Sequence, residues 1–250
     1  MINLELSKKK TAIIIPIKRL EKSKTRLSPF LDFNQRKNLT ELLILDTLEK
    51  VSTLKNSQTI LVCSETLRLP SKFKDLVVLN EKDSDVSGGG VNVAIELANE
   101  YIENNQFEES IIVPIDLPLM SIADLKELLE FSKGFNDGIC IVPSRRYDGT
   151  NVLLRKPNSI INTFYDNNSF YNHIKDATKK KRSIKVFNFE SLMIDLDTIE
   201  DIFYILNIYN RIEYYDMVRK NEIKKNNHSL LFLKEMMQNG SINYKGKTSP

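Results

Sequence analysis

The sequence is short of the residues on which most nucleophilic and redox chemistry depends. Its 250 residues include two cysteines and two histidines. Cys63 and Cys140 lie far apart in apolar runs. That excludes a disulfide framework or cysteine-rich zinc spacing and leaves two reduced core residues of a cytoplasmic protein. His173 and His228 offer little to a Ser-His-Asp or Cys-His mechanism, and neither cysteine has a visible activating partner. No glycine falls between 13 and 87, so no G-x-x-x-x-G-K loop can cradle a phosphate after the first strand. There is no run of about 18 apolar residues, so no membrane span is expected, and "MINLELSKKK" lacks the apolar stretch of a signal peptide. A net charge of +3 is too small to mark a nucleic-acid binder by itself.

What is present is an alternation of short apolar runs and amphipathic stretches. "TAIIIPI" (11–17), "QTILVCS" (58–64), "DLVVLNE" (75–81), "SIIVPIDLPLM" (110–120), "GICIVPS" (138–144), "TNVLLRK" (150–156), "SIKVFNF" (183–189) and "SLMIDLD" (191–197) read as strands. Helical patterns separate them at 34–52, 91–104, 121–132 and 199–212, with Ser121 as N-cap of the third. The order predicts an α/β fold with an open, mainly parallel central sheet flanked by helices. The closely spaced pair at 138–156 reads as an acceptor-side insertion near 138–176. A single domain is expected over 1–212. Residues 213–250 are expected to form a C-terminal helix and a mobile tail. Eight Lys/Arg stand against four Asp/Glu in 211–250, so either a solvated terminus or a nucleic-acid or partner grip fits that segment.

Ligands of open α/β sheets bind beyond the carboxyl ends of the strands, which selects the loops to read. The loop after the first strand, "IKRLEKSKTRLS", concentrates Lys18, Lys22, Lys24 and Arg26, a set suited to a polyphosphate as well as to a solvated surface. "DVSGGGVNVA" (85–94) sets three glycines before a helix, where backbone can approach a ligand closely or simply turn. In "VPIDLPLM", Asp116 is fenced by Pro114 and Pro118. A carboxylate beside phosphates calls for magnesium, which takes one or two carboxylates and completes its shell with phosphate oxygens and water. In "LMIDLDTIEDI", Asp195 and Asp197 share a face, and Asp197 can hold the same metal as Asp116. Thr198 is placed to cap the next helix, and Glu200 and Asp201 belong to its first turn. With no protein nucleophile, the nucleophile is expected on a phosphorylated substrate, whose monoester is largely dianionic at neutral pH and needs only alignment and neutralisation.

These pieces, with "DGTNVLL" and "NNSFYNHIKDA", occur in the order and spacing of the CofC family, the 2-phospho-L-lactate guanylyltransferases of coenzyme F-420 biosynthesis. The resemblance covers roughly residues 11 to 207. It implies a Rossmann-like, glycosyltransferase-A type fold like that of the molybdenum-cofactor guanylyltransferases. It also implies a reaction joining GTP to 2-phospho-L-lactate, phosphoenolpyruvate or 3-phosphoglycerate, with release of pyrophosphate. Carried over by position, Lys18, Lys22, Lys24 and Arg26 hold the triphosphate, and Gly90 and Asn92 approach guanine and ribose. Asp116 and Asp197 bind Mg2+, and Lys24 acts with them in catalysis. Thr150 and Ser169 hold the acceptor's carboxylate and phosphate. Asp166 stands where the family has a glycine in that acceptor block. His173 is either an acceptor ligand or a packed helix residue, and Arg145 and Arg146 are candidate phosphate contacts. No nucleic-acid or membrane partner is expected, and a homodimer is. Another nucleotide or acceptor, or a non-catalytic nucleotide- or RNA-binding module, remain alternatives. Binding that ignores both aspartates would favour the module.

Overall fold

The protein is described by a computed structural model covering residues 11–20, 23–81, 90–219 and 227–242. Seven strands form one sheet: β1 (Thr11–Ile17), β2 (Ser57–Cys63), β3 (Val77–Asn80), β4 (Glu109–Ile112), β5 (Gly138–Pro143), β6 (Thr150–Lys156) and β7 (Ser183–Val186). Their order across the sheet is β3-β2-β1-β4-β6-β5-β7. Ala12, Ile13, Ile14 and Ile15 of β1 are fully buried, as a strand covered on both faces requires. Ile13, Ile15 and Ile17 enter one apolar cluster, and Ala12 and Ile14 enter another, so successive residues supply opposite faces of the sheet.

Among the described residues there are seven α-helices: α1 (Phe33–Val51), α2 (Val91–Asn104), α3 (Ile122–Ser132), α4 (Ser169–Lys179), α5 (Glu190–Met193), α6 (Ile199–Arg219) and α7 (His228–Gln238). α1 begins at a capping box in which Asp32 and Gln35 exchange side-chain and backbone hydrogen bonds. Ala94, Ile95, Ala98 and Ile102 form the buried stripe of α2 at helical spacing. The Ser121 hydroxyl caps α3 by accepting from the Asp124 N–H, as expected from sequence. Leu48, Leu125 and Leu128 pack on one face of the sheet and Ile95, Ala98 and Ala177 on the other.

β6 runs antiparallel to its neighbours β4 and β5, whereas the other pairings are parallel. The 138–156 pair, read from sequence as an insertion, is integral to the sheet: Ile111 of β4 pairs with Leu154 of β6. β6 therefore presents its amino end at the edge where the parallel strands present their carboxyl ends, and Thr150 opens onto that edge.

Several expected boundaries move. β4 stops at Ile112 rather than running to 120, because Pro114 and Pro118 have no N–H to continue a ladder. "SLMIDLD" is not a strand: it holds α5 and then an extended segment, 194–197, that alternates buried Ile194 and Leu196 with half-buried Asp195 and Asp197. β7 ends at Val186. The boundary expected at 212 falls within α6. Leu230, Leu233 and Met236 of α7 join a third cluster with Leu39 and Leu43 of α1 and Ile202 and Ile205 of α6. The C-terminal helix is thus part of the folded body. Ile242 is buried and its N–H donates to the Met236 carbonyl at 3.1 Å; of the expected tail, the stretch 243–250 lies outside the described residues.

Candidate active site

A cavity of about 1080 Å3 opens at the carboxyl ends of β1 and β4 and the amino end of β6. This is the edge at which doubly wound sheets receive their ligands. Its floor is a three-residue charge cluster. The Lys24 ammonium donates to Asp116 Oδ2 at 3.0 Å, to Asp197 Oδ1 at 3.1 Å and to the Leu196 carbonyl at 2.5 Å. Lys24 itself has a left-handed backbone, φ 52°, at the head of a 3-10 turn over Thr25–Leu27. Leu27 anchors that turn in the third cluster, and the Leu196 N–H donates to the Asp116 carbonyl at 2.9 Å, tying the two acidic loops together.

Burial alone would lower the Lys24 pKa, but the two carboxylates outweigh it and the net shift is upward. Burial likewise pushes Asp197 up, and here Lys24, then Arg26 and Lys18, reverse the sign and hold it below its usual value. Among the described residues no cation acts on Asp195 in this way. Burial first, then the charge of Asp116 and the nearby Asp197 and Asp201, push it up to about 6. Neighbouring carboxylates thus add to what burial begins at Asp195.

Asp201 braces the floor from α6. Its carboxylate accepts from the backbone N–H of Asp197 at 3.1 Å and of Thr198 at 2.8 Å, and from the Thr198 hydroxyl at 2.9 Å. Thr198 returns the bond as N-cap, accepting weakly from the Asp201 N–H at 3.3 Å. Arg145 reaches Asp201 at 3.7 Å and lies over the Tyr204 ring, 4.4 Å from its centroid. The opposite wall is made of hydroxyls. The Thr150 N–H donates to Ser169 Oγ at 2.7 Å, and the Ser144 hydroxyl bonds Asp148 at 2.8 Å while accepting from the Gly149 N–H.

Comparison with known proteins places this arrangement. Residues 11–231 match the family described as Guanylyl transferase CofC like. The chain belongs to the CofC family. It is 31% identical to the 2-phospho-L-lactate guanylyltransferase of Methanobrevibacter smithii over 76% of this chain and 80% of that protein. It is 33% identical to the enzyme of the same name from Methanocaldococcus jannaschii over 77% and 81%. In three dimensions it resembles a Desulfovibrio desulfuricans G20 protein described as a nucleotide-diphospho-sugar transferase, with a TM-score of 0.67 at 14% identity over 92% of this chain and 96% of that one. The fold is thus of the nucleotide-diphospho-sugar transferase kind, and this CofC-family chain is a nucleotidyltransferase.

Of the positions expected to carry function, Lys18, Lys24, Arg26, Asp116, Thr150, Asp166, Ser169 and Asp197 all line this same cavity. Three do not. Gly90 caps α2 and leaves the lining to Val91. Asn92, expected near guanine and ribose, turns to the other wall: its Oδ1 accepts from the Tyr165 N–H at 2.8 Å and its Nδ2 donates to Asp166 at 3.1 Å. His173 is fully buried behind Thr150. Lys22 and most of the glycine-rich loop lie outside the described residues. The sequence reading left Asp201 as a mere helix-turn acid; the signal it held was the spacing T-x-x-D, read only as a cap.

Among the described residues no group of three or more His, Cys, Asp or Glu converges as a metal site. Two carboxylates that meet on one ammonium do fit a cation that completes its shell with phosphate. Lys24 occupies one oxygen of each, leaving Asp116 Oδ1 and Asp197 Oδ2, the latter 3.9 Å from Arg26.

Proposed function

We propose that this chain transfers the guanylyl group of GTP to a phosphorylated three-carbon acid and releases pyrophosphate. The acceptor is 2-phospho-L-lactate, or phosphoenolpyruvate or 3-phosphoglycerate, in the formation of coenzyme F-420 in the cytoplasm. One observation carries this reading: Lys24 joins Asp116 and Asp197 on the floor of a cavity whose rim bears Lys18, Arg26, Arg145 and Arg146. That pattern suits a substrate with several phosphates, bound partly through cations and partly through a metal held by the two acids. Mg2+ bound by Asp116 and Asp197 would neutralise the triphosphate and polarise its α-phosphate.

The chain's own residues supply the rest. Lys18 and Arg26 offset the charge of the β- and γ-phosphates, and Lys24 holds the two acids in register. Thr150 and Ser169 orient the acceptor. An oxygen of the acceptor phosphate attacks the α-phosphorus, the new P–O bond forms, and the bond to the β-phosphate oxygen breaks, with pyrophosphate carrying away the charge. No protein base is required, because the attacking monoester is already ionised. The names of the two methanogen enzymes support guanosine and phospholactate for this chain.

The test is pyrophosphate release from GTP, CTP, ATP and UTP with Mg2+, against each of the three acids. Release with GTP and one acid is expected. Release with CTP in place of GTP would move the chain to another nucleotide, and silence with every pair, together with no GTP binding, would sink the enzymatic reading.

A further inference from the structure

His173 lies on α4, fully buried and outside the cavity lining, yet both of its ring nitrogens are engaged. The Phe164 backbone N–H donates to Nε2 at 2.9 Å, so Nε2 carries a lone pair and no proton. A neutral ring then keeps its proton on Nδ1, which lies 2.9 Å from Thr150 Oγ1 and donates to it. The groups around the ring favour neutrality: Arg155 of β6 outweighs Asp176 of α4, and Tyr165 and Phe164 pack against it with centroids 5.2 and 5.9 Å away. Next to it, Ser169 Oγ accepts from the Thr150 N–H at 2.7 Å.

Each of the two hydroxyl oxygens thus accepts from inside the protein, and each retains its own proton for a further partner. Thr150 is 7% exposed and Ser169 4%, and both line the cavity, so the cavity is where such a partner would lie. A pair of neutral donors with their protons directed outward suits an oxyanion that only accepts, such as the carboxylate or phosphate of a small acid.

We propose that His173 is a positioning residue, donating from Nδ1 to hold the Thr150 hydroxyl so that Thr150 and Ser169 present two O–H donors to one anionic group of the acceptor. The proposal rests on the guanylyltransferase reading above. Without the imidazole, the Thr150 hydroxyl rotates freely, and one of the two donors is lost to other rotamers.

Steady-state pyrophosphate release tests this, with GTP, Mg2+ and whichever of the three acids the wild-type protein uses. His173→Phe is expected to raise the KM for the acid about tenfold and leave the KM for GTP unchanged. His173→Asn, whose amide N–H falls near the place of Nδ1, restores most of the loss; His173→Gln, whose amide falls near Nε2, does not. In a Thr150→Val background, His173→Phe adds nothing, whereas a merely structural role would still add its own cost. Equal effects on both substrates, additivity with Thr150→Val, or no distinction between Asn and Gln each overturn the proposal. If His173→Phe does not fold, the Asn and Gln pair decides, together with 15N spectra of histidine-labelled wild type. Those spectra should show Nδ1 protonated and Nε2 bare at neutral pH, and the reverse overturns the proposal. A wild type silent with all three acids overturns the functional reading and the acceptor role with it; an active wild type with an unchanged variant overturns the His173 role alone.

Discussion

A lysine ammonium held between two aspartates has two effects on its surroundings. It fixes both carboxylates at one point, and it removes enough repulsion for them to share a floor with Asp195. The left-handed backbone of Lys24 carries its own cost, of about 1–2 kcal/mol for a residue with a Cβ, so its three hydrogen bonds outweigh a local strain. Lys24→Met keeps the stem and deletes the charge. It is expected to lower kcat on the order of a hundredfold or more, a loss comparable to removing a preorganised donor from an active site. Steady-state turnover with GTP checks it, and a variant within threefold of wild type would remove Lys24 from the chemistry. His173 gives a second expectation at this scale. Its pKa is lowered to about 4, by burial first and then by Arg155. The unfolded chain takes up the proton near 6.5 and the folded one only near 4, so the unfolded state binds more protons in between. Stability from this group is complete above about pH 6.5 and is lost as pH falls towards 4, amounting to on the order of 3 kcal/mol. Urea unfolding of wild type and His173→Asn across that range should show the steeper fall in wild type; parallel curves would refute it. The place of Asp116 at the cavity was legible because the acid stands between two prolines at the end of an apolar strand. His173 was readable only as an acceptor ligand or a packed helix residue, because its partner Thr150 lies 23 positions away on another element. Asp201 read as a helix-turn acid, because a T-x-x-D spacing marks a cap and does not show that the same carboxylate faces a cavity.

Helix α7 is seated by one buried side chain. Asp46, in the middle of α1, accepts from the N–H groups of His228 and Ser229 at 2.8 Å each and from the Ser229 hydroxyl at 2.6 Å. It thereby serves as a cap supplied from another helix, satisfying donors that the first turn of α7 cannot satisfy itself. The same junction reaches the site: Asn227 Nδ2 and Lys50 Nζ both donate to the Pro118 carbonyl, two residues beyond Asp116. Asp46→Ala leaves the buried Ser229 N–H and the half-buried His228 N–H without this partner. It is expected to cost about 2–3 kcal/mol, read as a lower urea midpoint with an unchanged slope. A loss below about 0.5 kcal/mol would mean that α7 holds by apolar packing alone. Sequence alone gave α2 within its true limits because its buried stripe, cap position and length agree. It misjudged 191–197 for a reason of the same kind. Alternating burial of Ile194 and Leu196 has the period of a strand, and periodicity reports which side faces the core, not whether a neighbour supplies a ladder. Asp46 is a polar residue on the apolar side of α1, and nothing in its own helix says that another helix begins there.

At the scale of the whole molecule, the site exists because one strand runs against the rest. β6 carries Thr150 to the edge where β1 leads to Lys24 and β4 to Asp116, and α6 completes the floor with Asp197 and Asp201 just ahead of and within its first turn. Lys24 lies 92 positions from Asp116 and 173 from Asp197, so no spacing rule predicts their meeting; only the topology brings them together. The charges that meet there have a thermodynamic consequence. If Asp116 and Asp197 hold a divalent cation as proposed, the cation offsets their repulsion of a triphosphate, so nucleotide and metal should bind together rather than independently. Ligand that binds only the folded state at a hundred times its Kd adds about 2.7 kcal/mol of stability, or some 5–10 °C for a chain of this size. Thermal unfolding with GTP and Mg2+ is therefore expected to rise by several degrees, with GTP plus a chelator to rise far less, and with Mg2+ alone to change little. In Asp116→Ala the difference between GTP with and without metal should disappear if, as proposed, Asp116 is one of the two carboxylates that hold the cation. Equal shifts with metal and with chelator in the wild type would show that the lysine and arginine rim binds the nucleotide unaided, and Asp116 and Asp197 would then lose their role as metal ligands.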